Sequence, residues 1–446
     1  MIRNSRGGSS LQTANQAKRL AAAVCLVGAL TACGTTASPP AAQEPQIDLS
    51  VPAELSIFTT ITSQQKAFEE AIAKLKTKFP NYTIKLLLPT KEITLDSLIA
   101  SGTVPDIIWD SATGMTSTVL DTGLQYDMTE WIKKDKVDLG RFDDSTIQIM
   151  REASGQGRMY GLPDDVNATV LFYNKDIFDR FGVPYPKDGM TWDNAYDLAK
   201  TLTRTEGGIN YKGMGLFYSS LMSNNQLSLP VINPKEDKAS VHTDPWKRLF
   251  NTYKQFYEIP GNQLDAKFSN FNGQLDSFYK DQNVAMVVAP LSGSGRFAQA
   301  QNLKWDMAAA PTFADMPKTG FQPGPRYFFV TNGKNKERAF QVVTQLLSDE
   351  VQQQNNKEGR ATSLKNATIR QTFGQEGESF KGKHTAAVFY NQFAVSPPAN
   401  PIASQVNLGD LNTEFLNVIQ GTKDVNTALR SADEAITKKI AEAKAK

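Results

Sequence analysis

Three short apolar runs near the start of the chain constrain its fold more than any other feature. They are ELSIFTT (54–60), TIKLLL (83–88) and VPDIIWD (104–110). Between the first two runs, apolar residues recur at helical spacing from Phe68 to Phe79, which predicts a helix over 63–79. A second helix is predicted near 94–101, between the second and third runs. Because such continuous runs are typical of strands buried on both faces, this order predicts an α/β fold with a helix-covered parallel sheet.

The first 33 residues have the pattern of an export leader. Basic residues and no acidic ones precede an apolar run at 20–32, and Cys33 follows at once. The run is shorter than the roughly 20 residues of a membrane span, and its flanks are those of a signal peptide. Leu30 to Gly34 (LTACG) resembles the lipobox of bacterial lipoproteins, where the cysteine is diacylated and the chain is cut before it. The resemblance implies a signal peptide over 1–32 and a lipid on Cys33.

The rest of the chain predicts a tether and at least two lobes. Residues 33–49 are mostly small, polar or proline, which predicts a lipid-anchored tether. About 400 residues remain, too many for one core. Without the four basic leader residues, 44 basic residues stand against 46 acidic ones, a net charge of −2. This balance gives no electrostatic case for binding nucleic acid, and only the lipid is expected to contact a membrane.

Cysteine and histidine are too scarce for most catalytic or metal sites. Cys25 lies in the leader, and His242 and His384 lie far apart in polar stretches. A triad or zinc site is therefore not expected. The G-x-G-x-x-A pattern at 293–298 resembles a dinucleotide fingerprint but lies outside the first βαβ unit, so we expect a strand-to-helix turn with backbone N–H groups near a ligand. We expect no cofactor, no metal ion and no catalytic residue.

The carboxyl ends of the predicted strands are candidate ligand contacts, since ligands bind there in open α/β sheets. The first strand ends at Thr59 and Thr60, and the third at Trp109, Asp110 and Ser111. An alternative interpretation is that Trp109 belongs to the core and Asp110 caps the following helix.

Residues 155–203 resemble the extracellular solute-binding proteins of bacterial ABC importers, the maltose-binding-protein-like family. The matching pieces are GRMYGLP (157–163), LFYNKD (171–176) and TWD (191–193). Within them, Asp176 and Thr191 are expected to cap helices, and Gly182 to end one. The segments at 278–293 and 324–352 are similar to the second and third inter-lobe crossings of the family. The resemblance extends over about 50–446.

This resemblance implies a two-lobed, type II periplasmic-binding-protein-like fold whose lobes are joined by a three-strand hinge. We assign 50–163 and 291–325 to lobe 1, and 164–290 and 326–446 to lobe 2. The protein is expected to be a monomer that captures its ligand between the lobes.

The resemblance adds further candidate ligand-binding residues. They are Asp165, Asn167, Tyr218, Leu291, Arg326 and Tyr327, whereas Ser292 and Gly293 are candidates because their backbone N–H groups belong to the glycine-rich turn. Leu291 stands where the maltose binder has a sugar-stacking tryptophan. Because the apolar face of a pyranose packs on aromatic rings, the loss of a ring argues against a long malto-oligosaccharide.

The implied function is that of a lipid-anchored, substrate-binding component of an ABC importer on the extracytoplasmic face of the cell membrane. It would deliver a sugar or oligosaccharide to permease subunits served by a separate ATPase. One alternative is a non-sugar solute such as a polyol phosphate or peptide, with Arg326 as an anion partner. Another is a lipid-anchored glycoside hydrolase, which needs two carboxylates about 5–10 Å apart. Asp164 and Asp165 do not suit that role, since neighbours on a strand point to opposite faces.

Overall fold

The structure is a computed structural model that describes residues 48–445, apart from 63–64, 113, 156, 301, 399, 401, 403–405 and 407–408. The predicted signal peptide, Cys33 and the tether up to residue 47 lie outside the described residues. Residues 47–446 form one compact unit. In the described part of the chain, no helix combines the length and the apolar character needed to cross a membrane.

The described residues form strands and helices that alternate along most of the chain. The strands are β1 (Ala53–Phe58), β2 (Tyr82–Leu87), β3 (Ile107–Ser111), β4 (Gly161–Val166), β5 (Thr169–Asn174), β6 (Arg204–Glu206), β7 (Ile209–Leu216), β8 (Val284–Pro290), β9 (Trp305–Ala309) and β10 (Pro325–Val330). The helices are α1 (Gln65–Leu75), α2 (Leu95–Ala100), α3 (Thr129–Lys134), α4 (Asp144–Ala153), α5 (Lys175–Phe181), α6 (Trp192–Leu202), α7 (Tyr218–Ser223), α8 (Asp244–Glu258), α9 (Phe271–Tyr279), α10 (Lys336–Leu346), α11 (Asp349–Lys357), α12 (Ala367–Arg370), α13 (Gly409–Ile419) and α14 (Val425–Lys444).

The first sheet has the strand order β2-β1-β3-β10-β4. Strand β1 pairs in parallel with both β2 and β3, so the predicted parallel start is confirmed. Strand β10 is antiparallel to its neighbours β3 and β4. Ile57 and Ile107 are fully buried, and Phe68 of α1 packs on Trp109 with the ring centroids 5.0 Å apart. This sheet and the helices α1–α4, α10 and α12 share one hydrophobic core, and α11 contacts α1, α10 and α12; we call this part the first lobe.

The second sheet has the strand order β6-β7-β8-β5-β9. Strands β7 and β8 are parallel, and β5 runs antiparallel to both β8 and β9. Every residue of β8 is buried, as its continuous apolar run requires. Residues of α5–α9, α13 and α14 complete a separate core, which we call the second lobe.

The connections between the lobes differ in part from the predicted ones. The first crossing follows β4, close to the predicted boundary. However, β8 and β9 both belong to the second sheet, so 278–293 is not a crossing, and the assignment of 291–325 to lobe 1 is wrong for β9. Strand β10 lies between β3 and β4, so the chain returns over 310–324, and 326–446 does not belong entirely to lobe 2. The predicted assignment fails because of how the two strands pair. Strand β9 pairs with β5 over five residues, whereas β10 pairs with β3.

A third connection follows α12. Ile369 belongs to the core of the first lobe, whereas Phe373 belongs to that of the second. The chain therefore passes between the lobes three times within the described residues, and the predicted two-lobed α/β architecture is confirmed.

Candidate functional site

A cleft of about 460 Å³ lies between the two lobes, within the size range of small-molecule sites. The first lobe lines it with Lys66 and Glu70 of α1 and with the turn at 358–361 that follows α11. The second lobe contributes the start of the 3-10 helix Leu291–Gln299. The segment 376–380, which follows the third connection, completes the wall.

The floor of the cleft is built on a buried ion-pair cluster of Asp164, Asp165, Arg326 and Arg360. Arg326 donates to both oxygens of Asp165, from Nε to Oδ1 at 2.5 Å and from Nη2 to Oδ2 at 2.6 Å. Arg360 pairs with Asp164, and its Nε lies 3.6 Å from Oδ2 of Asp165. Both guanidinium groups lie over the Trp109 ring, 5.0 and 5.5 Å from its centroid. The two arginines thus reach the cleft already paired with acidic partners.

Local sequence explains how this cluster forms. Asp165 near the end of β4 and Arg326 near the start of β10 are register partners across an antiparallel pair with a bulge. Because a buried charge needs an opposite charge, the strand pairing and the ion pair specify each other. Arg326 lies just after the return crossing, and this strand pairing places it at the floor of the cleft.

Asp164 is a buried carboxylate behind the floor of the cleft. Burial raises the pKa of its carboxyl group, as a general acid requires. However, the carboxylate is covered by Arg360, and it accepts hydrogen bonds from Trp109 Nε1 at 2.9 Å and Gln352 Nε2 at 2.8 Å. Its side chain is 1% exposed and does not line the cleft. In the part of the chain that the structure describes, no group of three His, Cys, Asp or Glu residues is placed to hold a metal ion.

Asn167 lies where the connections between the lobes meet. Its Nδ2 donates to Ser292 Oγ and its Oδ1 accepts from Ser292 N, both at 3.0 Å. Its backbone N–H donates to the carbonyl of Gly324 on the return crossing, at 2.9 Å. Asn167 therefore joins the first crossing to the second-lobe wall and to the return crossing, and its side chain lines the cleft.

The cleft brings together four of the predicted ligand-binding residues, namely Asn167, Leu291, Ser292 and Arg326. Trp109 and Tyr327 belong instead to the core of the first lobe and are both 0% exposed. The Tyr327 hydroxyl donates to the backbone carbonyl of Thr146 at 2.7 Å. The alternative interpretation of Trp109 as a core residue is therefore correct in this structure.

Asp110 neither lines the cleft nor caps a helix. Its carboxylate is buried and accepts a hydrogen bond from Ser111 N at 2.7 Å, with Thr60 Oγ1 at 3.4 Å. Burial raises the pKa of Asp110. A Cβ atom placed on Gly114 would lie 2.4 Å from Oδ1 of Asp110, so the carboxylate of Asp110 packs against the backbone of Gly114. Asp110 thus organises the turn after β3 and holds Thr60 and Ser111, while Thr59 Oγ1 accepts from the N–H of Ile61.

The remaining candidates lie outside the cleft as well. Asp165 lies behind the floor of the cleft, where it accepts a hydrogen bond from Arg326. Gly293 is buried within the 3-10 helix Leu291–Gln299. The ring of Tyr218 packs against Phe415 of α13, with the centroids 5.1 Å apart. Sequence reasoning also missed an aromatic pair directly after β7, in which Phe217 and Phe271 stack with their ring centroids 3.6 Å apart.

The cleft residues that were not predicted come mostly from irregular segments. They include the turn at 358–361 and the segment 376–380, together with Lys66 and Glu70 on α1. Gly359 in the first segment has φ +100°, and Gly374, which precedes the second segment, has φ +72°. Glycine marks a turn in a sequence, but not which cleft the turn will line.

The model of the bacterial extracellular solute-binding protein family matches residues 59–353, well over half of the 446-residue chain. A binding protein of Brucella abortus (strain 2308) is 27% identical over 199 residues, which are 42% of this chain and 46% of that protein. The arabinooligosaccharide-binding protein of Bacillus subtilis is 27% identical over 161 residues, 34% of this chain and 36% of that protein. The chain therefore spans less than half the length of the first curated relatives it matches.

Among solved structures, the chain is similar to an ABC substrate-binding protein of Listeria monocytogenes in complex with cycloalternan. The two are 18% identical, with a TM-score of 0.69 over 88% of this chain and 100% of that one. At this identity the likeness shows the fold alone.

Two lobes, three connections and a cleft between the lobes define the class of two-lobed binding proteins with a type II periplasmic-binding fold. Within that class, the chain belongs to the bacterial extracellular solute-binding protein family.

Proposed function

We propose that this protein is the carbohydrate receptor of an ABC importer. The observation that carries the proposal is the cleft between the lobes, whose polar wall includes Asn167, Ser292, Ser294 and Ser379. Hydroxyl, amide and charged groups of this kind bind the hydroxyls of a sugar. The named ligands of relatives, an arabino-oligosaccharide and cycloalternan, agree with this ligand class.

The paired arginines argue against a phosphate as the main ligand group. A phosphate site uses guanidinium groups whose charge is available. Here Arg326 donates two hydrogen bonds to Asp165, and Arg360 pairs with Asp164, so each guanidinium group already has a carboxylate beside it. We therefore favour a carbohydrate over a polyol phosphate. A hydrolase is not favoured either, because the matched family is one of binding proteins.

The proposed mechanism is capture followed by hinge closure. A ligand that contacts both walls stabilises the closed form, because it can shift the equilibrium only by binding that form better. The closed receptor would then be presented to permease subunits that work with a separate ATPase. Asn167 would couple the two events, since it contacts both the cleft and two of the connections.

A thermal-shift screen of the purified protein tests the ligand class. Arabino-oligosaccharides, malto-oligosaccharides and cycloalternan would be compared with polyol phosphates and peptides. We expect a carbohydrate to raise the melting temperature, since a ligand at 100 times its Kd adds about 2.7 kcal/mol of stability. Asn167→Ala should weaken calorimetric binding of that carbohydrate by about tenfold, close to 1.4 kcal/mol. Stabilisation by a phosphate or peptide, with no response to any carbohydrate, would contradict the proposal.

We further propose that Cys33 anchors the receptor to the extracytoplasmic face of the cell membrane. The support is the sequence around it, a short apolar run that ends in LTACG. Cells fed a radioactive fatty acid should label the wild-type protein but not Cys33→Ala, and only the wild type should stay with the membrane fraction. Equal labelling of both proteins would rule out the anchor without affecting the ligand proposal.

A further inference from the structure

A second, smaller pocket opens beside the cleft. Its volume is about 270 Å³, and its walls include Phe297, Trp305, Glu378, Ser379, Lys381 and Lys383. Glu378 and Ser379 line the main cleft as well. The 3-10 turn Glu378–Phe380 is therefore a border between two adjoining spaces. A ligand that fills the cleft can extend over Ser379 into this side pocket.

One wall of the side pocket is apolar and rigid. Trp305 and Phe297 are 5% and 4% exposed, and their ring centroids are 5.1 Å apart. Trp305 also contacts Phe172 and Phe380, whose rings meet it at steep angles. Such packing leaves the wall little freedom to collapse, so the space beside it persists without a ligand.

The ammonium group of a partly buried lysine borders this apolar wall. The ammonium group of Lys383 lies 4.9 Å from the centroid of Trp305 and makes no hydrogen bond or ion pair with a described residue. Lys383 is partly buried, and this desolvation lowers its pKa, an effect that Lys175 reinforces and Asp306 opposes. A bound anion would relieve the unfavourable desolvation of the charged form.

The charge of the walls indicates which anion fits. Lys381 and Lys383 stand against Glu378, which gives the side pocket an excess of one positive charge. A carboxylate carries a single negative charge, whereas a phosphate monoester carries about −1.5 to −2 at neutral pH. The volume is near the lower limit of ligand sites, which suits one sugar ring rather than a chain.

We infer that the side pocket is a subsite for a carboxylate-bearing sugar ring, so that the ligand is an acidic carbohydrate. The inference rests on the proposed carbohydrate receptor and narrows its ligand class. The sugar carboxylate pairs with Lys383 and Lys381, while the ring hydroxyls bond to Ser379 and Glu378. The remainder of the ligand lies in the main cleft.

Lysine acylation measured by mass spectrometry tests this inference on the purified protein. Glucuronate is the smallest probe that carries both the ring and the carboxylate, and glucuronamide is its neutral counterpart. An ion pair that raises the pKa of Lys383 by one unit lowers its reactive amine fraction, and so its acylation rate, about tenfold. We expect glucuronate to lower the acylation rate of Lys383 by this factor, which we call protection. Glucuronamide at the same ionic strength should give no protection. Lys438 on α14, with a side chain that is 79% exposed, is the internal control and should react equally throughout.

A variant and a third probe complete the experiment. Lys383→Met keeps an apolar stem over Trp305 and should abolish the protection of Lys381 by glucuronate. Equal acylation of Lys383 with glucuronate and glucuronamide would overturn the inference, as would stronger protection by glucose 6-phosphate. If Lys383 is not protected although a neutral oligosaccharide raises the melting temperature, the subsite is wrong and the receptor proposal stands. If Lys383 is protected but no oligosaccharide, neutral or uronate-containing, raises the melting temperature, the receptor proposal is rejected instead.

Discussion

Asp165→Ala should lower the free energy of unfolding by about 3–5 kcal/mol, because it leaves a buried arginine without its counter-charge. The Arg326 side chain is 9% exposed, and its guanidinium group donates two hydrogen bonds to Asp165. The Asp165 side chain is 2% exposed, so the carboxylate that the variant loses is a buried one. Urea denaturation of the wild type and the variant measures the difference.

Two further variants make the result interpretable. Lys85 and Glu54 form an ion pair at the surface of the same lobe, with side chains that are 59% and 75% exposed. Glu54→Ala should change the free energy of unfolding very little, since water and salt screen such pairs. The double variant Asp165→Leu with Arg326→Met removes both buried charges and should recover much of the loss. If Asp165→Ala costs no more than Glu54→Ala, the cluster does not stabilise the joint between β4 and β10.

The local structure of the chain could be predicted where one short-range cause dominates. The apolar runs place β1, β2 and β3 to within a few residues, because strands buried on both faces tolerate few polar residues. Thr191 caps α6 through a capping box with Asn194, and Gly182 ends α5 at φ 63°, both as predicted. The prediction for Asp176 was wrong by two residues, since the Asn174 side chain accepts from Asp176 N and is the cap of α5. Asn and Asp serve this role equally well, so composition alone cannot choose between them.

Strand partners could not be predicted in the same way. Strands β9 and β10 are both short apolar runs, yet one joins the second sheet and the other inserts between β3 and β4 of the first. The choice depends on contacts such as the Arg326–Asp165 pair, whose members are far apart in sequence. The same holds for the cleft. Asn167 was found through the family resemblance and Ser292 through the glycine-rich turn, whereas Arg360 reaches the floor only because the chain turns back after α11.

Trp109 and Asp110 show the limit of assigning ligand contacts to strand ends. Position along β3 places both near the carboxyl edge of the sheet, where ligands of such folds bind. The structure uses them for packing instead, since Trp109 supports two guanidinium groups and Asp110 holds the turn against Gly114. Ligand contact requires an open space in front of the side chain, and the sequence contains no direct measure of that space.

Gly359→Ala should destabilise the protein by about 2–4 kcal/mol and weaken ligand binding, because the position has no room for a side chain. Gly359 has φ +100°, a conformation that L-residues rarely adopt, and an added Cβ would lie 2.4 Å from Cε2 of Phe380. Phe380 is packed against Phe373, with the ring centroids 5.1 Å apart, so its ring can relieve the clash only by moving. Because Phe380 lines the cleft, that movement changes the shape of the ligand site.

Gly295→Ala is the matched control, since Gly295 also lines the cleft. An added Cβ at Gly295 meets no atom within 4 Å, and the residue does not have a positive φ. This variant should therefore retain the melting temperature of the wild type, whereas Gly359→Ala should melt at a lower temperature. Calorimetry with the carbohydrate identified by thermal shift should show a larger loss of affinity for Gly359→Ala. Equal melting temperatures for the two variants would mean that Phe380 yields freely, and that the turn at 358–361 does not fix the shape of the cleft.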